Sequence, residues 1–188
     1  NKKRRVFIAI NLPDNIKKQI SSYKNKWQEL PAKCIDFDNI HITLEFLGNI
    51  TSEELGKVCM AIKEIAEKHS SFDIIFKKVV YGPPKKVPPR MIWVQGESSK
   101  ELSSLKTDLQ KCLLQIVRLV PETKLFLPHV TLARINEWEW KKIEPEERPE
   151  VNENINIVFQ VESIEVMESV LKRGGPQYTT VESHSFGG

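Results

Sequence analysis

The pattern of apolar and polar residues predicts strands and helices that follow one another in a repeated order. Short β-branched runs such as Val6–Ile10 are typical of buried strands, and apolar residues three or four apart indicate helices. That spacing predicts a helix from Asp14, as its N-cap, to Leu30. The T-x-x-E capping box at Thr51 predicts a second helix, and a third is predicted over 98–120.

Further strands complete the pattern, and their order suggests a duplication. They are predicted over 34–37, 41–48, 72–81, 91–95, 128–135, 155–166 and 177–182. Between them, GPPKKVPP holds four prolines in eight residues, and strand, helix and strand recur on both sides of it.

We therefore predict one bilobal domain over 1–188, with an internal duplication of roughly 1–81 and 90–183 and with crossing strands possible. The predicted fold class is α+β, with two lobes related by pseudo-two-fold symmetry around a central cleft. Each lobe is a mostly antiparallel sheet with helices packed on its outer side.

Composition fits an ordinary globular protein. The 188 residues are 40% hydrophobic and 28% charged, and a net charge of +3 permits a polyanionic partner without requiring one. The cysteines Cys34, Cys59 and Cys112 are odd in number and form no C-x-x-C pair, so a reduced, cytoplasmic setting is expected. No apolar run approaches the ~20 residues of a membrane span and no signal peptide is recognised, so no membrane association is predicted. A monomer is expected.

Two copies of one motif are the main chemical signal. HITLEFLG begins at His41 and HVTLARI at His129, so each strand spells His, an apolar residue, Thr and Leu. Strand side chains alternate between faces, which puts His41 with Thr43 and His129 with Thr131. Same-face neighbours lie ~6.5–7 Å apart, close enough for an imidazole and a hydroxyl to contact one tetrahedral group.

These residue types suit phosphate-ester chemistry without a cofactor. A neutral imidazole accepts a proton, a protonated one donates it, and a pKa of ~6.5 makes both forms accessible. Threonine hydroxyls can donate to the phosphate oxygens, where charge accumulates. A metal site is the competing interpretation, but Glu45 is the one further ligand near either motif, and zinc usually takes at least three protein ligands. We therefore predict no metal, and we expect His69 and His184 at the surface.

The motifs, together with RVFIAINLP, PPRMIWVQG and GGPQYTTVESHSF, resemble the two-histidine (2H) phosphoesterase superfamily over nearly the whole chain. The closest resemblance is to the RNA 2′,3′-cyclic phosphodiesterases, also called 2′–5′ RNA ligases. It implies metal-free hydrolysis of an RNA 2′,3′-cyclic phosphate end to a 2′-phosphate, with possible reversible ligation. The implied partner is RNA or an oligonucleotide with such an end.

The resemblance also implies roles. His41 would give a proton to the departing 3′-oxygen, His129 would activate water, and Thr43 and Thr131 would hold the phosphate. The residues themselves leave open which histidine is the acid. Arg134 matches the family pattern H-x-T-L-x-R, which implies a phosphate or sugar contact.

Two positions test the strand alternation. Regular alternation turns Arg134 away from the motif face, so it contacts substrate only if the strand ends or bulges after Leu132, and it is otherwise structural. Phe46 and Tyr178 are candidates for stacking on a base. Because Phe46 alternates with Ile42 and Leu44, however, we predict it in the core.

Other functions stay open at this stage. The substrate could be another one of the superfamily, such as a 2′–5′ oligoadenylate, a cyclic ADP-ribose phosphate or a tRNA fragment. The chain could also be a non-catalytic module that binds RNA ends. Basic residues at 85–90 and 172–173 could guide an RNA backbone or be solvated loops, and 136–156 could be a helix or a loop over the cleft.

Overall fold

Nine antiparallel strands form one sheet in the computed structural model, which describes residues 2–188. The strands are β1 (Arg4–Asn11), β2 (Ala32–Cys34), β3 (His41–Ile50), β4 (Phe72–Gly82), β5 (Met91–Gly96), β6 (His129–Ile135), β7 (Asn152–Val161), β8 (Ser163–Lys172) and β9 (Gly175–Ser185). The helices are α1 (Asp14–Ser21), α2 (Ser52–Lys68), α3 (Lys100–Leu113) and α4 (Glu137–Lys141). The predicted α+β class with a mostly antiparallel sheet is confirmed.

The strand order places the two motif strands side by side in the middle of the sheet. It runs β7-β4-β5-β6-β3-β1-β8-β9, with β2 paired to β6. The chain crosses this middle more than once. β4 precedes the proline-rich loop but pairs with β5 and β7, whereas β8 and β9, from the end of the chain, extend the sheet from β1. The two duplicated segments remain a prediction, and 82–89 does not separate the two sides of the sheet.

The main core lies between the helices and one face of the sheet. Val6 and Ile8 of β1 are buried in it, and α2 packs against α3, β8 and β9. Phe7 and Ala9 point to the opposite face, where they form a small cluster with Met167. The helices thus cover one face, and the other carries the cleft described below.

The first two helices differ in how well they follow the sequence prediction. At α2 the capping box forms, because the Thr51 side chain accepts from the Glu54 amide and the Glu54 carboxylate accepts from the Thr51 amide. The prediction for α1 was wrong about its N-cap residue and about its C-terminal end. Pro13 occupies the N-cap position in place of Asp14, and the helix ends at Ser21 rather than Leu30. The chain continues as a 3₁₀ turn.

Two other boundaries were also wrong. α3 begins after Ser99, which caps it, and ends at Leu113 rather than at 120, because residues 114–117 form turns. The single strand predicted over 155–166 is two strands, β7 and β8, on opposite sides of the sheet. Among the described residues, no helix is both long and apolar enough to span a membrane.

The segment 136–156 packs against the protein body. It forms α4, a 3₁₀ turn at Pro145–Glu147 and the start of β7. Trp140 is buried there, with the Arg148 guanidinium 4.0 Å from its ring centroid. None of these residues lines the cleft.

Candidate active site

β3 and β6 pair directly at Ile42 and Val130, and this pair organises the site. Both side chains are buried in the core. The residues that flank them therefore point to the opposite face, because strand side chains alternate. Antiparallel register places each histidine beside the threonine of the other motif. The four motif residues line one cleft of about 700 Å³: His41, Thr43, His129 and Thr131.

The two imidazoles are held in the same way. His41 Nδ1 lies 2.6 Å from the carbonyl oxygen of Asn39, and His129 Nδ1 lies 3.2 Å from that of Leu127. A carbonyl only accepts, so both Nδ1 atoms carry the hydrogen and donate. In the neutral ring, Nε2 is then an unprotonated base. His41 Nε2 lies 2.8 Å from Thr43 Oγ1, within the cleft.

Different aromatic rings surround the two histidines. His129 stacks on Trp93, with ring centroids 3.8 Å apart and planes at 18°. Gly82 makes room for this indole, since a Cβ at position 82 would lie 2.3–2.6 Å from its ring atoms. His41 instead lies 5.0 Å from Phe7 and meets Tyr178 edge-on at 5.1 Å.

Burial lowers the pKa of both histidines. For His41 the hydrogen bond to Asn39 opposes this effect, whereas the positive charges of Lys17 and His129 lower the pKa further. For His129 the hydrogen bond to Leu127 opposes the effect of burial. A positive charge on His129 therefore disfavours protonation of His41.

Each motif strand bulges at the leucine after its threonine. In β3, Thr43 pairs with Ala9 and Glu45 with Ile8, which leaves Leu44 as the extra residue. In β6, Leu132 is extra in the same way, between the pairs that β5 makes with Thr131 and Ala133. An extra residue reverses the alternation beyond it.

The bulges turn one further residue of each motif into the cleft. Phe46 is 67% exposed and lines the cleft, so its predicted core position was wrong. Arg134, the equivalent residue of the second motif, is exposed and also lines the cleft. Of the two arrangements that the sequence allowed for Arg134, the strand has the bulge.

Lys106 of α3 supports the first bulge and was not among the residues predicted from the sequence. Its ammonium group donates to the Leu44 carbonyl and lies 2.7 Å from the Glu45 carboxylate. Both charged side chains are about nine-tenths buried, at 10% and 11% exposure. A lysine four residues after Leu102, on the apolar stripe of α3, was the available signal.

The remaining candidates lie outside the cleft. His69 is not the surface residue we expected, because its side chain is 12% exposed and its Nε2 lies 2.6 Å from Asp108. His184 pairs with Glu182 at 2.7 Å. Arg90, from the basic loop, pairs with Glu137. Within residues 2–188, no three His, Cys, Asp or Glu side chains cluster closely enough to hold a metal ion.

An antiparallel sheet with paired H-x-T strands in one cleft defines the two-histidine phosphoesterase class. The chain belongs to the LigT-like phosphoesterase family, whose model matches residues 10–93. It is 30% identical to an RNA 2′,3′-cyclic phosphodiesterase of Aquifex aeolicus over 165 residues, and this matched region covers 85% of each chain. It is 27% identical to the Methanocaldococcus jannaschii protein of that name, over 95% of this chain and 98% of the relative.

A solved structure has the same fold. A Thermus thermophilus protein superimposes with a TM-score of 0.83 at 25% identity, over 98% of both chains. The predicted superfamily and the prediction that the chain is a phosphodiesterase-type enzyme are confirmed.

Proposed function

We propose that this enzyme hydrolyses RNA 2′,3′-cyclic phosphate ends to 2′-phosphates, with His41 and His129 as a metal-independent acid–base pair. The observation that carries the proposal is that two imidazoles in one cleft are held in the same way. Each is hydrogen-bonded through Nδ1 to a backbone carbonyl. The names of the relatives support the substrate class.

The reaction needs one neutral and one protonated histidine. His129 Nε2 takes a proton from water as the water oxygen attacks phosphorus. The bond between phosphorus and O3′ breaks, and His41 gives its proton to O3′. The products are a 2′-phosphate and a free 3′-hydroxyl. Exchange with solvent then returns the proton from His129 and reprotonates His41. The assignment of acid and base follows the resemblance to the family.

Three further side chains are proposed to bind the phosphate. The hydroxyls of Thr43 and Thr131 donate to the non-bridging oxygens, where negative charge increases in the transition state. Arg134 supplies a guanidinium group at the second motif, suited to bidentate contact with phosphate oxygens. All three line the same cleft as the imidazoles.

An aromatic wall beside the first motif suits a nucleobase. Phe7 lies 6.2 Å from Phe46 and 5.1 Å from Tyr178, measured between ring centroids. Phe46 leaves an apolar ring open to the cleft, and stacking of a base on such a ring contributes ~1–3 kcal/mol. This supports a nucleoside, rather than a bare phosphate, as the bound group.

The same site accommodates 2′–5′ ligation. A 5′-hydroxyl of a second RNA attacks phosphorus in place of water, and His129 accepts its proton. The bond between phosphorus and O3′ breaks, His41 gives its proton to O3′, and the product contains a 2′–5′ linkage. Cleavage of that linkage is the reverse step and exchanges the roles of the histidines.

The test uses the whole chain and an oligonucleotide that ends in a 2′,3′-cyclic phosphate, in excess EDTA. We expect turnover to a 2′-phosphate, and losses of ~10²–10⁴-fold in His41→Ala and in His129→Ala. His184→Ala is the matched control, since His184 lies outside the cleft. Inactivation by the chelator would contradict the metal-free mechanism. Binding without any product from the wild type would instead indicate a module that only holds RNA ends.

A further inference from the structure

Two adjacent arginines of β1 lie on opposite faces of the sheet. Arg4 points to the helix side and pairs with Glu168 at 2.6 Å. Arg5 is exposed and lines the cleft with the two histidines. Within residues 2–188, no carboxylate lies within 4.0 Å of Arg5. The cleft thus contains a guanidinium group that the proposed chemistry does not use.

The position of Arg5 relative to the reacting centre is set by strand register. Ala9 pairs with Thr43, and Arg5 lies four residues before Ala9 on the same face, which is ~13 Å along the strand. Phe7 stands between Arg5 and Ala9 and forms the aromatic wall with Phe46. Arg5 therefore lies beyond the place proposed for the nucleoside.

At the end of the cleft beyond the first motif, Arg5 is the lining cation that no carboxylate of the described residues holds. The described residues that line the cleft include three cationic side chains, Arg5, Lys106 and Arg134. Lys106 is held by Glu45. Arg134 belongs to the second motif, whereas Arg5 lies past the end of the first. Ser169 of β8 pairs with Arg5 and adds a hydroxyl to the cleft.

We propose that Arg5 and Ser169 form a subsite for the phosphate on the 5′ side of the terminal nucleotide. This rests on the proposed function. In an RNA chain the phosphate next to the cyclic end is separated from it by one nucleoside, which is the group proposed to lie against Phe46. Guanidinium groups bind phosphate oxygens in bidentate fashion. The enzyme then selects RNA chains over nucleosides that carry only the cyclic phosphate.

Three substrates with the same reacting group separate this contact from catalysis. They are adenosine 2′,3′-cyclic phosphate, the same compound with a 5′-phosphate, and the dinucleotide ApA with a cyclic end. The readout is the ratio of kcat/KM for each 5′-phosphorylated substrate to kcat/KM for the first. We expect Arg5→Ala to lower both ratios by about 10- to 100-fold, the loss typical of a charge-assisted hydrogen bond. Arg5→Lys should retain part of the preference for 5′-phosphorylated substrates, because lysine keeps the positive charge but not the bidentate geometry.

Arg4→Ala is the matched control, because it removes the same charge from the adjacent residue on the other face. It keeps the wild-type ratios. Ratios that are unchanged in Arg5→Ala, or that fall equally in Arg4→Ala, would overturn the proposal.

Binding by calorimetry tests the subsite without turnover. The wild type is expected to bind adenosine 2′,5′-bisphosphate more tightly than adenosine 2′-phosphate, and Arg5→Ala removes most of that preference. If the wild type is inactive but shows this preference, the subsite stands and the proposed hydrolysis falls. If the wild type is active and the preference survives in Arg5→Ala, the hydrolysis stands and the subsite falls.

Discussion

Ile42 and Val130 face each other where β3 meets β6, and the two catalytic candidates lie diagonally on either side of that pair. His41 precedes Ile42 and His129 precedes Val130, so the antiparallel direction of the strands separates the rings along the cleft while the threonines fill the other two corners. A phosphate at the centre of these corners would meet one imidazole on each side.

The threonine hydroxyls are expected to matter for rate rather than stability. Thr43→Val and Thr131→Val keep the shape of the side chain but remove a donor to the phosphate. We expect each to lower kcat/KM by about 10- to 100-fold with little change in melting temperature. Thr107→Val on the exposed face of α3 is the control. Full activity in either cleft variant would exclude that threonine from phosphate binding.

The rate should follow a bell-shaped pH profile with an acidic optimum. The pair is active with one proton, so kcat/KM falls below the lower apparent pKa as the base is protonated, and above the upper one as the acid loses its proton. Because burial lowers the pKa of both rings, the maximum should lie below ~6.5. In His129→Gln the pKa of His41, followed by NMR, should rise as repulsion is removed. An optimum above neutrality would contradict this account.

Lys106 is expected to stabilise the first bulge. Lys106→Met leaves the Leu44 carbonyl and the Glu45 carboxylate without their donor, and both sites are nearly buried. We expect the free energy of unfolding to fall by about 3 kcal/mol, measured with urea. Glu45→Gln in the same chain should recover part of that loss. Lys111→Met, from the exposed face of α3, is the control, and an equal effect there would show that the contact is not specific.

Gly82 is expected to act on His129 through Trp93. Gly82→Ala places a methyl group against the indole, so the ring must move away from its stack on His129. We expect a loss of about tenfold in kcat/KM, similar to that of Trp93→Leu, and no further loss when the two changes are combined. Gly56→Ala in α2 has open space around it and is the control. Additive losses would mean that Gly82 acts by another route.

Strand alternation predicted the faces of the motif residues but not the residues beyond them. Alternation assumes that a strand has no bulge. The bulges at Leu44 and Leu132 arise from the pairing of β3 with β1 and of β6 with β5. For that reason Phe46 was assigned to the core, whereas the structure places it in the cleft. The two leucines do occupy the same position in both motifs, which is a signal that a comparison of the motifs could use.

The strand order and the contacts of Lys106 are further features that the sequence alone did not predict. Local patterns locate β4 along the chain and merge β7 with β8, but they do not say which partners these strands take across more than seventy residues. Lys106 was likewise hidden, because its partners Leu44 and Glu45 are about sixty residues away. Contacts of this kind depend on tertiary structure, and a single sequence does not display them.

The chain crosses between the two sides of the sheet, and this determines whether the protein could be cut into two fragments that fold. Cutting at the proline-rich loop would give two fragments, and the first would carry β4 without β5 and β7, while β1 would lack β8. Each fragment would expose unpaired strand edges, so neither is expected to fold by itself. Mixed together, however, the fragments would complement each other, and activity would return only when both are present.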